Sequence, residues 1–170
     1  MNRLKYITSG IFLILIQLLI SGYVNIWPML YIAVFPLLLI TLPYRNYNFI
    51  SMFIAFAVGL FIDVTSDGVL GLNAAAAVAL SFFRAPLLRL AISRPTLENI
   101  TEITQRTIGT TQFVIITILS YAIFFAVYIA LDSWGYYSFL YSAARLLINV
   151  IANTCVALLL WKTINSQIFR

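Results

Sequence analysis

Residues 113–131 read FVIITILSYAIFFAVYIAL, a run of nineteen residues without a charged side chain. A helix of about 20 mostly apolar residues matches the ~30 Å hydrocarbon core of a bilayer. The composition around this run agrees, because 63% of the 170 residues are hydrophobic and only 9% are charged, whereas soluble domains carry roughly 25% charged residues. Since lipid requires backbone groups to be paired within helices, the sequence predicts an all-α integral membrane protein.

The remaining apolar runs predict a bundle of six transmembrane helices in one domain that covers residues 1–170. We place the helices at about residues 7–26, 28–43, 49–64, 70–92, 113–131 and 138–162. Pro36 predicts a kink in the second helix, because proline removes a backbone donor and clashes with the preceding turn. Apolar residues in steps of about three also predict an amphipathic cytoplasmic helix over about residues 96–108, with a solvated linker as the alternative.

The basic residues predict the orientation of the bundle. If six spans alternate, nine of the ten Lys and Arg residues fall on one side, and Arg145 alone does not. Because Lys and Arg are retained in the cytoplasm, we expect a multi-pass membrane protein with both ends in the cytoplasm. The candidate cytoplasmic-side cations of the fourth helix and its exit are Arg84, Arg89 and Arg94, and we interpret Arg84 as a snorkelling side chain. The dispersed net charge of +5 favours contact with membrane lipids over nucleic acid.

Two charged residues inside predicted spans are candidates for a buried polar site. A charge at a helix centre costs roughly 2.5–3.5 kcal/mol on insertion scales, so it usually has a partner. Counting along the helices places Asp63 and Arg145 at similar depth, and we predict that they form a buried ion pair. Asn149 follows Arg145 by four residues and lies on the same helix face.

Small residues at four-residue spacing predict close contact between the third and fourth helices. Such residues let helix backbones approach one another in a membrane. The alternative is a groove that receives the helix of a partner protein, since the same spacing serves packing between chains. The candidate residues for this packing or partner face are Gly59, Gly71, Ala75 and Ala79.

The chemistry that the chain can support is narrow. It contains no histidine, and its single cysteine is Cys155, which excludes an intrachain disulfide, a Cys/His zinc site and a histidine base. Asp63 and Asp67 are four residues apart, but two carboxylates fall short of the six oxygen ligands of a typical cation site. We therefore expect no catalytic activity, no metal and no cofactor.

Three short stretches resemble a known family. They are GLFIDVTSD at residues 59–67, GLNAAA at residues 71–76 and FRAP at residues 83–86. Together they are similar to the central signature of the rod shape-determining membrane protein MreD, in a form similar to those of Bacteroidota-type bacteria. The informative part of the resemblance covers about residues 59–94, and length and predicted span number agree over nearly the whole chain.

The resemblance implies a non-enzymatic scaffold of the cell-elongation complex in the bacterial inner (cytoplasmic) membrane, which helps to control cell shape and peptidoglycan synthesis. Its implied partners are an MreC-like single-span membrane protein and, through it, MreB and the peptidoglycan synthases. The resemblance also suggests an architecture similar to the S-components of energy-coupling-factor vitamin transporters. A substrate-binding S-component is therefore the alternative function, in which Asp63, Asn73 and Arg145 would line an outward-facing pocket.

Overall fold

The computed structural model describes residues 3–23, 29–42, 48–66, 69–93, 96–97, 103, 105–133 and 137–168. Its helices are α1 (Arg3–Tyr23), α2 (Pro36–Thr41), α3 (Asn48–Thr65), α4 (Leu72–Ala91), α5 (Gln105–Ile108), α6 (Thr110–Asp132) and α7 (Phe139–Ile168). The described part of the chain contains no β-strand, which confirms the predicted all-α class. Helices α1, α3, α4 and α6 begin and end within a few residues of the predicted bounds, whereas α7 runs to Ile168, past the predicted end at residue 162.

Three of the helices are long and apolar enough to cross a bilayer, namely Leu72–Ala91, Thr110–Asp132 and the Phe139–Lys162 part of α7. Two shorter apolar helices are Gly10–Ser21 and Phe49–Thr65. Large apolar side chains also cover the exterior: Leu90 is 85% exposed and Phe139 is 88% exposed. A surface of this kind suits lipid rather than water, so length, composition and exterior together indicate a helical membrane protein.

The predicted helix over residues 28–43 is wrong for its first half. Residues Met29–Val34 are not helical, and only Pro36–Thr41 is. The N–H groups of Tyr31 and Ala33 bind side chains at one edge and that of Val34 binds a side chain at the other, which is the alternation of an extended backbone. Pro36 does not kink a longer helix, because it stands at the start of α2, where its missing N–H would have had no helical partner. We call Met29–Val34 the extended segment.

The extended conformation explains how so few residues can reach across the bundle. The six residues of the extended segment rise roughly 20 Å at about 3.3 Å per residue, and the six of α2 add roughly 9 Å at about 1.5 Å per residue. Together they approach the ~30 Å of a hydrocarbon core. A continuous helix over residues 29–42 would rise only about 21 Å.

Helix α4 lies at the centre of the packing, with α3 on one side and α6 on the other, and α6 also packs against α7. The extended segment and α2 fill the middle. The ring of Phe35 meets that of Phe124 edge-on at 5.4 Å, and Tyr31 stacks on Tyr128 at 5.0 Å.

The predicted amphipathic helix over residues 96–108 falls only partly within the described residues, which there are 96–97, 103 and 105–108. Within them, α5 is the helical part (Gln105–Ile108). Leu97, Ile103 and Ile108 are buried members of the hydrophobic core. The apolar side of this connection therefore packs on the protein.

Candidate functional site

The carboxylate of Asp63 is buried at the end of α3 and binds the start of α4. Its Oδ1 accepts hydrogen bonds of 3.0 Å from the backbone N–H and the side-chain amide of Asn73. Its Oδ2 accepts from the backbone N–H of Gly71 at 3.0 Å and of Ala74 at 3.1 Å. The first N–H groups of a helix have no partner within it and favour negative charge. Asp63 therefore caps α4 from a neighbouring helix.

Glycine makes this approach possible. A Cβ atom added at Gly59 would lie 2.6 Å from the Cα of Ala74 and 2.9 Å from the carbonyl carbon of Asn73. Gly71 precedes α4 with φ of +96°, a left-handed conformation that glycine adopts at little cost. Further along the same contact, the hydroxyl of Ser81 on α4 donates to that of Ser51 on α3 at 2.9 Å.

Of the four small residues predicted for this contact, Gly59 lies at the closest approach of α3 and α4. On α4 it contacts the backbone of Asn73 and Ala74 and not the predicted residues Gly71, Ala75 and Ala79. Gly71, Ala75 and Ala79 line an open groove beside the contact. The partner that this groove would receive stays a prediction.

Arg145 does not form the ion pair predicted with Asp63. Both residues are buried, but the guanidinium of Arg145 binds the Oδ2 atom of Asp132 at the end of α6. The reason is that equal depth gives only the height of a residue along its helix and not the identity of the neighbouring helix. Arg145 lies on α7, which packs against α6, while the N-terminus of α4 occupies Asp63.

Asn149 lies one turn after Arg145 and holds the extended segment. Its Oδ1 accepts from the backbone N–H of Tyr31 at 2.8 Å, and its Nδ2 donates to the backbone carbonyl of Met29 at 2.7 Å. Asn153 repeats the pattern: its Oδ1 accepts from the N–H of Ala33 at 2.7 Å, and its Nδ2 donates to the carbonyl of Tyr31 at 2.8 Å. Each asparagine thus supplies the donor and the acceptor that a neighbouring strand would supply.

The spacing of helix and extended chain explains this match. Two residues four apart on a helix are separated by about 6 Å along its axis, and alternate residues of an extended chain by about 6.6 Å. Gln17 of α1 binds the other edge: its Nε2 donates to the carbonyl of Ile32 at 3.1 Å and its Oε1 accepts from the N–H of Val34 at 2.6 Å. Non-helical backbone at membrane depth needs such partners.

Gln17 and Asn153 are not among the predicted site residues, although Asn153 shares the polar helix face of Arg145 and Asn149 by steps of four. The signal that could have found them is chemical. A primary amide carries both a donor and an acceptor, and each of these amides stands in an otherwise apolar run. Such a side chain matches the two groups that an unpaired stretch of backbone presents.

Arg84 is buried rather than snorkelling. Its guanidinium donates to the backbone carbonyls of Leu42 and Ile40, the latter at 3.3 Å. Carbonyls at the end of a helix such as α2 lack helical partners and attract cations. Arg89 is exposed in the last turn of α4, and Arg94 lies outside the described residues.

These contacts stabilise the fold, and through them the principal buried polar groups bind other parts of the same protein. Asp63 binds α4, the amides bind the extended segment, and Arg84 binds α2. The described residues include no group of three or more metal-ligating side chains. Comparison of the chain with family models, with curated proteins and with solved structures finds no match in any of the three.

Proposed function

We propose that the chain is a non-enzymatic scaffold of the bacterial cell-elongation complex, similar in role to MreD. It would bind an MreC-like single-span membrane protein and, through it, MreB and the peptidoglycan synthases. It would lie in the inner membrane with six spans and both ends in the cytoplasm. The support from sequence is the resemblance over about residues 59–94 and the distribution of basic residues.

Two contacts between the second and fourth predicted spans support six alternating spans. At one end of α4, the hydroxyl of Tyr31 donates to Oδ1 of Asn73 at 3.1 Å. Near its other end, Arg84 donates to the carbonyl of Leu42. The extended segment and α2 therefore run beside α4 from one end to the other, as a span would. Arg89, at the same end as Arg84, favours that end as the cytoplasmic one.

The observation that best supports the proposal is that the Asp63 carboxylate binds within the fold. Four hydrogen bonds hold its carboxylate between α3 and α4, so a charged residue of the resembling stretch acts within the fold. A scaffold needs helices that are fixed relative to one another, because a fixed pair of helices presents a constant apolar surface to a partner's helix. Helix association in lipid depends on such close packing.

The alternative, a substrate-binding S-component, needs polar groups that converge on an open pocket. Asp63 and Asn73 instead bind one another, and Arg145 binds Asp132. The engagement of these three candidates within the fold favours the scaffold.

The test is affinity purification of the tagged protein from its native membrane in mild detergent, with mass spectrometry of the proteins that co-elute. The proposal predicts a single-span periplasmic coiled-coil protein together with wall synthases. Recovery of paired ATPases with a coupling membrane subunit would contradict it and favour the transporter. A purification of an unrelated multi-span protein from the same membrane is the control for non-specific recovery.

A further inference from the structure

A groove of about 520 Å³ lies between α6 and α7, at the end where α6 stops and α7 starts. Its volume is in the range of about 300–1,000 Å³ that is typical of small-molecule sites. The walls are mainly apolar, with Ala126 and Ile129 on α6 and Ala143 and Leu146 on α7, and Ser133 lies at the end of the groove.

Two buried donors near this end have no acceptor among the described residues, and one of them, Ser133, lines the groove. The residue Ser133 is 8% exposed, and its Oγ atom has no hydrogen-bond partner in the described part of the chain. The Nε atom of Arg145 is likewise buried without a partner there, although another nitrogen of the same guanidinium binds Asp132. Leaving a buried polar group unpaired costs about 1–3 kcal/mol. A ligand that brings an acceptor oxygen would remove that cost.

We propose that this groove binds a membrane phospholipid. One acyl chain lies along the apolar walls, and an ester or phosphate oxygen accepts the hydrogen bond of the Ser133 hydroxyl. Tyr137 and Phe139 at the same end are 53% and 88% exposed, and aromatic residues are typical of the depth at which lipid headgroups begin. The site goes beyond the scaffold role and depends only on placement of α6 and α7 in a membrane.

A phospholipid fits these donors better than a partner's helix does. A transmembrane helix pairs its backbone carbonyls internally, so it offers few free acceptors to Ser133. A phospholipid carries ester and phosphate oxygens directly above its chains. The apolar walls and the Ser133 hydroxyl at one end of the groove match this amphipathic arrangement.

The experiment uses the full chain in nanodiscs of phosphatidylethanolamine and phosphatidylglycerol, with a fraction of each lipid carrying a photoactivatable diazirine on one acyl chain. Mass spectrometry then maps the labelled residues. We expect labelling concentrated on the groove residues of α6 and α7. Ala143→Leu fills the groove and should abolish this labelling, whereas Ala144→Leu, at an exposed neighbour on the same helix, should leave it unchanged.

A second variant tests the hydrogen bond. Ser133→Ala should lower lipid retained after detergent extraction by about three- to tenfold, which corresponds to one hydrogen bond, while Ser133→Thr should retain it. In lipid-free detergent, Ser133→Ala should melt at or above the wild-type temperature, because its hydroxyl is unpaired there. Uniform labelling of all lipid-facing surfaces that Ala143→Leu does not change would overturn the proposal, as would cross-linking of the groove to another protein's helix in the native membrane.

Discussion

The Oδ1 atom of Asn153 accepts a 2.7 Å hydrogen bond from the backbone N–H of Ala33, 120 residues earlier in the chain. The same side chain donates to the carbonyl of Tyr31 at 2.8 Å. A helix side chain therefore takes the place of a strand in pairing an extended backbone. This substitution lets the extended segment lie inside a helical bundle.

We expect Asn153→Ala to destabilise the protein by about 1–3 kcal/mol, because it leaves backbone groups of Tyr31 and Ala33 without their partners. Hydrogen exchange should speed up at the amide of Ala33, and thermal unfolding in detergent should occur at lower temperature. Thr154→Val is the matched control on the next residue, since the Oγ1 of Thr154 is buried without a partner among the described residues. An equal loss of stability in the two variants would contradict the pairing of Asn153 with the extended segment.

The cap of α4 predicts a larger effect at Asp63. Asp63→Asn removes the charge and turns an amide N–H₂ toward backbone donors, and we expect a loss of about 2–4 kcal/mol, since hydrogen bonds to charged groups each contribute about 1.5–3 kcal/mol. The control is Asp132→Asn, whose carboxylate is 25% exposed and should cost less than half as much. Chemical unfolding in micelles measures both. A loss at Asp63 no larger than at Asp132 would show that the cap contributes little.

Gly59→Ala should be poorly tolerated. Its Cβ would stand 2.6 Å from the Cα of Ala74, and backbone cannot move aside as a side chain can, so we expect a cost of about 1–3 kcal/mol from overpacking. At Gly10 the nearest atom is the Cδ1 of Leu38 at 3.0 Å, the flexible end of a side chain. Gly10→Ala is therefore the control and should cost less. Melting temperatures of the two purified variants measure this difference, and an equal loss in both would contradict the close approach at Gly59.

Arg145 should be energetically coupled to Asp132 and not to Asp63. In a double-mutant cycle, Arg145→Gln with Asp132→Asn should show a coupling of about 0.5–2 kcal/mol, discounted because the pair is partly exposed. Arg145→Gln with Asp63→Asn should be additive within about 0.5 kcal/mol. Coupling to Asp63 instead would restore the ion pair that the sequence suggests.

The apolar runs were sufficient to predict the all-α class and the position of most helices, because lipid forces backbone pairing into helices. Pro36 was predicted to kink the second helix but instead begins α2. The extended segment could not be foreseen, since its stability comes from amides on α1 and α7 that are distant in sequence. The side-chain amides of Gln17, Asn149 and Asn153 indicate an extended backbone only when the backbone groups that they bind are known.

At the candidate site, the sequence identified Asp63 and Arg145 as charges inside membrane spans and Gly59 as a small residue for close helix packing. It could not identify their partners. The step of four from Gly59 to Asp63 predicts a shared face, but the glycine meets Ala74 rather than the stripe of Gly71 and Ala75. The partner of each residue depends on which helices are neighbours in the bundle. The sequence around the residue does not show which helices those are.

We propose that buried residues such as Gly59, Asp63 and Asn153 hold the fold together while partners bind the exterior. The most direct test measures, for Gly59→Ala, Asp63→Asn and Asn153→Ala, both the fraction of folded protein and the yield of co-purified single-span partner. We expect the partner yield per folded molecule to stay at the wild-type value in all three variants. A variant at Asp63 that keeps wild-type stability but loses the partner would contradict it and make Asp63 a binding residue.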